Sequence, residues 1–207
     1  MVDKDIVRRG YEALADVYAS ERSDGGEEAR LLERFIAGLE TPARVLDAGC
    51  GHGAYVTRRL HRSEQVLGLD IAWNQLILAR ENLHSASLVQ ADIANIPAKD
   101  DTFDGIVAMH SLIHLPDSQH QSAIAEFARV LRPGGRLLVS EGSSAWSGSN
   151  PTWLDSETEM QWNMLGPDVT RGQLCEEQFS IIGEFGVAGS LDDNEERWCF
   201  FLAELTS

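Results

Sequence analysis

The run Val45–Gly53, VLDAGCGHG, limits what this chain can fold into more than any other stretch. Arg44–Ala48 is short and mostly apolar, which predicts a buried strand. It enters a turn in which Gly49, Gly51 and Gly53 alternate with Cys50 and His52, and a helix is expected over Ala54–Arg62. Glycines accept positive φ and carry no Cβ, so a ligand can lie against the backbone. The helix start turns unpaired N–H groups towards a carboxylate or phosphate. Such strand–turn–helix units build open α/β sheets, which bind ligands at the carboxyl ends of their strands, where strand order reverses.

The rest of the chain repeats this alternation. Strands are expected at Gln65–Asp70, Ser87–Gln90, Phe103–Met109 and Arg136–Glu141. Helices are expected at Trp73–Leu83 and at Gln119–Leu131, the second stopped by Pro133-Gly134-Gly135. Two amphipathic helices, Asp5–Ser20 and Glu27–Leu39, precede the first strand, with a polar break at Ser23–Gly26. From Glu141 to Pro167 no regular element is predicted. A helix at Thr170–Gln178 follows, then strands Phe179–Phe185 and Arg197–Leu205 joined by the acidic turn Asp192–Glu196. The expected fold is doubly wound and Rossmann-like: a seven-stranded, mostly parallel sheet with an antiparallel final strand and helices on both faces. One domain is expected over residues 1–207, comprising a helical cap (1–40), a ligand-binding core (41–141) and a connection with a closing hairpin (142–207).

Taken alone, the glycine turn is ambiguous. Gly49–Ala54 also fits the dinucleotide pattern GxGxxA, with Asp70 roughly 20 residues downstream as that fingerprint requires. Two acidic residues separate the readings. Asp70 ends the second strand in LGLD, where its carboxylate can accept bonds from both hydroxyls of a ribose. Asp92 follows the third strand in QADI, suited to accept the exocyclic amine of an adenine whose faces Ile71 and Ile93 cover. A nicotinamide oxidoreductase leaves Asp47 and Asp92 without a task, and the lysines, Lys4 and Lys99, form no Tyr-x3-Lys.

The segments VLDAGCGHG, LGLDIAWNQLILAR, QADIANIPAKDDTFDGIVAMHSLIHLPD and ARVLRPGGRLLVSE, in this order and spacing, resemble the class I S-adenosylmethionine-dependent methyltransferases. The small type 11 group, which includes ubiquinone and menaquinone methyltransferases, is the nearest in pattern. The resemblance is sharp over Val45–Glu141, weaker over the N-terminal helices and faint after Glu141. It implies S-adenosylmethionine as cofactor, S-adenosylhomocysteine as product, and methyl transfer by in-line displacement. It also implies that Asp47, Gly49 and Gly51 hold the methionine end of the cofactor, and that Asp70 binds the ribose. Ile71 would pack on the adenine, Asp92 and Ile93 would flank its amine, and Met109 and His110 would border the sulfonium. YEALADVYASER resembles a helix that closes over the cofactor, making Tyr11 and Tyr18 candidate lid residues; plain core packing of both rings is the competing reading.

Displacement at a methyl group needs alignment, exclusion of water and sometimes a base. His110 and His114, in MHSLIHL at the ligand edge, are candidate bases because histidine titrates near neutral pH. Lining the cofactor or capping the next helix is the competing role. Glu141, ending the fifth strand, is a third candidate, with an ion pair to an arginine as its competitor. No metal is called for and no metal-ligand spacing is present. Trp146, Trp153 and Trp162, with Met160, Met164 and Leu165, are expected to line a pocket for a flat or apolar small molecule. Packing of a long connection, or a homodimer contact, competes with that reading. No NPPY-like element of nucleobase or glutamine N-methylation follows the fourth strand.

The charge bears on the acceptor. Thirty-three acidic against seventeen basic residues leave −16, a surface that repels phosphate backbones and disfavours nucleic acid. MHSLIHL nevertheless resembles a segment of wobble-uridine side-chain methyltransferases, so a tRNA-modifying enzyme is one alternative; a non-catalytic S-adenosylmethionine-binding partner or sensor is the other. Many carboxylates with two lysines resemble proteins of salt-in halophiles. No apolar run reaches the ~18 residues of a membrane span. With a polar N-terminus and three dispersed cysteines, Cys50, Cys175 and Cys199, a cytoplasmic protein with free thiols is expected.

Overall fold

The computed structural model describes residues 2–21, 26–188 and 197–206, with Arg197 described by its backbone alone. Strands β1 (Arg44–Ala48), β2 (Gln65–Asp70), β3 (Ser87–Gln90), β4 (Phe103–Ala108) and β5 (Leu131–Gly142) pair in parallel. A separate hairpin, β6 (Trp146–Asn150) and β7 (Met160–Met164), follows. Strands β8 (Phe179–Ala188) and β9 (Arg197–Leu205) complete the main sheet in the order β3-β2-β1-β4-β5-β9-β8, with β9 antiparallel to both of its neighbours. This is the seven-stranded, doubly wound sheet expected from the sequence.

Successive residues of the central strands serve opposite faces, as the pleat requires. On one face Val45, Val107 and Leu138 meet Leu31, Leu32 and Phe35 of the helix α3 (Gly26–Ile36). On the other, Leu46, Ile106 and Leu137 meet Ile124, Phe127 and Val130 of α6 (Asp117–Val130). Phe35 and Phe127 are wholly buried, and each contributes roughly 1.5–3 kcal/mol of apolar burial. Pro133-Gly134-Gly135 lies inside β5, at the shift of register between Phe103–Leu131 and Gly105–Arg136.

Elsewhere the structure departs from the sequence reading. The first expected helix is two, α1 (Lys4–Ala13) and α2 (Ala15–Glu21), because Leu14 leaves helical geometry at φ −112°, ψ 23°. The break lets each half follow its own surface: α1 crosses α5 (Trp73–Asn82) and β7, while α2 packs on α5. A Cβ on Gly10 would come 2.8 Å from Met160 Cε, so glycine allows the close approach of α1 to the hairpin. The stretch expected to be irregular holds that hairpin, whose Ser/Gly/Asn-rich first strand shows no apolar alternation. Asn163 ties it down by donating to the Leu115 carbonyl (3.0 Å) and to Asp117 Oδ1 (2.8 Å). The expected acidic turn Asp192–Glu196, and most of the break at Ser23–Gly26, lie outside the described residues.

Candidate active site

Strand order reverses between β1 and β4, and a cleft of about 940 Å³, counted with its open mouth, lies at their carboxyl ends. The glycine turn, which leads into the short helix α4 (Val56–Leu60), forms its floor. Gly49 sits at φ 89°, and a Cβ there would stand 2.7 Å from Ser111 Cβ, so a side chain would push the turn off the loop after β4. Asp70, at the tip of β2, is buried. Its Oδ2 accepts the Gly51 N–H and its Oδ1 the Ala72 N–H, each at 2.8 Å. Burial lifts this carboxyl above its ordinary pKa, against the opposing pull of those N–H groups. Asp47 accepts the Thr57 hydroxyl at 2.6 Å. Asp92 accepts the Ala94 N–H at 2.9 Å on one oxygen and pairs with Lys4 Nζ on the other.

The residues expected to hold a cofactor meet here. Asp47, Gly49, Gly51, Asp70 and Ile71 line the cleft from β1 and β2. Asp92 and Ile93 line it beyond β3, Met109 and His110 beyond β4, and Tyr18 from α2. Among the further lining residues that were not singled out from the sequence are Lys4 and Val7 on α1, Gln75 on α5, and Ser111. No signal in the sequence places α1 over the strand tips at single-residue resolution. Among the described residues, no group of His, Cys, Asp and Glu could hold a metal ion.

The two histidines of MHSLIHL have different surroundings. His114 lies in a 3₁₀ turn (Leu112–His114), and its Nδ1 donates to the Gln161 carbonyl at 3.0 Å. That leaves Nε2 to accept the Tyr11 hydroxyl at 2.9 Å. Burial pushes the imidazole pKa down to about 4, so the ring is neutral near pH 7. His110 is held at φ 56°, a left-handed conformation that costs a non-glycine residue on the order of 1–3 kcal/mol. Its backbone N–H donates to Ser140 Oγ at 2.6 Å and its Nε2 to Glu28 Oε1 at 2.7 Å. Glu28 is a buried carboxylate on α3 that nothing in the local sequence marks as special.

Glu141 departs from its expected place. It is wholly buried and does not line the cleft. Its Oε2 accepts His120 Nε2 and Thr170 Oγ1, both at 3.0 Å, and its Oε1 accepts the Gly142 N–H at 2.7 Å. The partner is a histidine rather than an arginine. The carboxylate braces β5 against α6 and α7 (Pro167–Glu176), where no acceptor reaches it. The tryptophans also stand one layer back. Trp153 meets Tyr11 edge-on at 5.4 Å between centroids and Tyr18 at a tilt at 5.8 Å, and Trp162 stands 6.3 Å from His114. Trp146 is half exposed against Trp162. They back the aromatic wall of Tyr11, Tyr18 and His114 rather than lining the cleft themselves.

A family model described as a methyltransferase domain matches residues 45–135. The 27-O-demethylrifamycin SV methyltransferase of Amycolatopsis mediterranei is 34% identical over 158 residues, covering 65% of this chain and 57% of that protein. The tRNA (carboxymethyluridine(34)-5-O)-methyltransferase of Arabidopsis thaliana is 29% identical over 140 residues, covering 67% of this chain and 33% of that one. The chain spans about half the length of the curated relatives it matches first. Among solved structures, the Burkholderia thailandensis 1,6-didemethyltoxoflavin-N1-methyltransferase, with bound 1,6-didemethyltoxoflavin and S-adenosylhomocysteine, superposes with a TM-score of 0.77. That match covers 98% of this chain and 88% of the other at 18% identity, a likeness of fold.

Proposed function

We propose that the chain, which matches a methyltransferase domain over residues 45–135 and shares its fold with a solved methyltransferase, transfers a methyl group from S-adenosylmethionine to a small-molecule acceptor. One observation carries the reading: the glycine turn, Asp70 and Asp92 share a single cleft whose wall includes the aromatic group of Tyr11, Tyr18 and His114. Bound S-adenosylmethionine supplies an electrophilic methyl carbon for in-line displacement. Asp70 holds the ribose and Asp92 the adenine amine, with Ile71 and Ile93 against the ring. Asp47, Gly49 and Gly51 hold the methionine end, Met109 and His110 border the sulfonium, and Tyr18 closes the site. His110, tethered to Glu28, and His114, reached only through the Tyr11 hydroxyl that its Nε2 accepts, are the candidates to take a proton from the acceptor. In this reading residues 1–40 cap the site, 41–141 bind the cofactor and 142–207 build the acceptor side.

The aromatic wall of Tyr11, Tyr18 and His114 supports a flat or apolar acceptor, and the rifamycin methyltransferase supports a small-molecule one. The Arabidopsis relative favours tRNA instead, and the charge of −16 opposes it. That charge, with two lysines, supports work in the cytoplasm of a salt-accumulating cell.

Thermal denaturation tests the cofactor assignment. S-adenosylhomocysteine at 100 times its Kd adds about 2.7 kcal/mol of stability and raises the Tm by several degrees, while NAD does not. No shift at millimolar S-adenosylhomocysteine, in low and in high KCl, overturns the assignment. Asp70→Ala weakens S-adenosylhomocysteine binding by about 1.5–3 kcal/mol, because it removes charged hydrogen bonds; calorimetry showing unchanged affinity contradicts the role given to Asp70. Radiolabelled methyl transfer into small-molecule extract or into tRNA separates the acceptor classes, and a partner protein or sensor labels neither.

A further inference from the structure

Gln75, in the first turn of α5, stands in the cleft wall with 1% of its surface exposed. The two ends of its carboxamide are not interchangeable. The Nε2 group donates at 3.2 Å to the backbone carbonyl of Tyr11, and a carbonyl only accepts, so the nitrogen must face α1. Oε1 is thereby turned the other way, and it is buried with no hydrogen-bond partner. It faces the glycine turn: a Cβ on Gly51, at φ 53°, would come 3.6 Å from Oε1. The same glycine donates its N–H to Asp70 Oδ2. An Asp70 carboxylate oxygen and the Gln75 carboxamide oxygen therefore converge on one residue that has no side chain. Each Asp70 oxygen already accepts a backbone N–H, which reduces what it has left for a ligand. A buried acceptor left without a donor is destabilising, and such an atom in a ligand cleft is matched to a donor that the ligand brings.

We propose that Gln75 is a further cofactor-binding residue whose Oε1 accepts a hydrogen bond from a ribose hydroxyl beside Asp70, while its amide end anchors α1. The assignment rests on the S-adenosylmethionine reading of the cleft. It joins two jobs in one side chain: the oxygen reads the sugar and the nitrogen holds the helix that carries Lys4 and Tyr11 over the site.

Calorimetry on Gln75→Met, which keeps length and helix propensity but loses both polar ends, tests this. The ligands are S-adenosylhomocysteine and its 2′-deoxy and 3′-deoxy forms. The substitution is expected to weaken S-adenosylhomocysteine about three- to tenfold, and that loss is expected to vanish with one of the two deoxy ligands. Unchanged S-adenosylhomocysteine affinity overturns the proposal. An equal loss for all three ligands also overturns it, since that is what looser docking of α1 alone would produce. If Gln75→Met is unfolded, the wild-type protein is read by the ¹³C shift of the Gln75 carboxamide. That shift should move with S-adenosylhomocysteine and stay with one deoxy form; movement with none, or equal movement with all, overturns the proposal. A wild-type protein that binds none of the three removes the cofactor reading itself, an outcome distinct from Gln75 having no effect on a protein that does bind.

Discussion

At the level of single residues, environment rather than identity separates the two histidines at the ligand edge. His114 is stripped of water and bonded at both ring nitrogens, one donating and one accepting; His110 is bent into a left-handed backbone and tied to a buried carboxylate. The first state has a consequence for stability. His114 titrates near 6.5 when unfolded and about 4 when folded. Between those values the unfolded chain binds a proton that the folded chain does not, so stability rises with pH across the window and levels off above it. The span corresponds to about 3 kcal/mol. Urea titrations from pH 4 to 7 on wild type and His114→Gln check it: the variant is expected to lose that part of the slope, and parallel profiles would contradict the neutral state of His114. The sequence showed two histidines four residues apart at a strand tip. It did not show that one faces Tyr11 and the Gln161 carbonyl while the other faces Glu28, because each partner comes from an element distant in the chain.

At the level of elements, strands that are continuous apolar runs and helices with one apolar stripe were readable in advance, and elements held in place by polar ties to distant segments were not. The central strands β1, β2 and β4 are buried on both faces and read as apolar runs. The hairpin β6–β7 is held by α1, the 3₁₀ turn and Asn163, none of which leaves a periodic trace in its own residues. Glu141 follows the same logic. It ends a strand at the ligand edge, yet its side chain is taken by His120 and Thr170 of helices that cover the sheet. Removing one member of a wholly buried hydrogen-bonded network leaves the others without partners. Glu141→Ala is expected to lower folding stability by about 3–5 kcal/mol in urea denaturation, while S-adenosylhomocysteine affinity, measured cold where the variant is folded, stays within about twofold because the residue lies outside the cleft. A large loss of affinity without loss of stability would return Glu141 to the site.

Over the whole molecule, charge dominates. Arg129 is bound by Glu126 and Asp100, and Arg171 by Asp168 and Glu184, which ties up basic residues while the acidic excess of 16 remains. Mutual repulsion of that excess is screened by salt. The Tm is therefore expected to climb between 0.1 and 2 M KCl by several degrees, at about 2–4 °C per kcal/mol for a chain of this size; a flat or falling Tm removes the high-salt reading. No described helix is long and apolar enough to cross a membrane.

Sequence alone determined the architecture and the location of the cleft. Strand period, glycine placement and acidic strand ends are local properties, and a right-handed crossover leaves few ways to assemble them. Tertiary structure alone decided which polar groups meet. It set Lys4 on Asp92, Glu28 on His110, Tyr11 on His114 and Gln75 against the glycine turn, because such pairs form between elements far apart in the chain whose mutual orientation is set by packing, and packing is not written in any one segment.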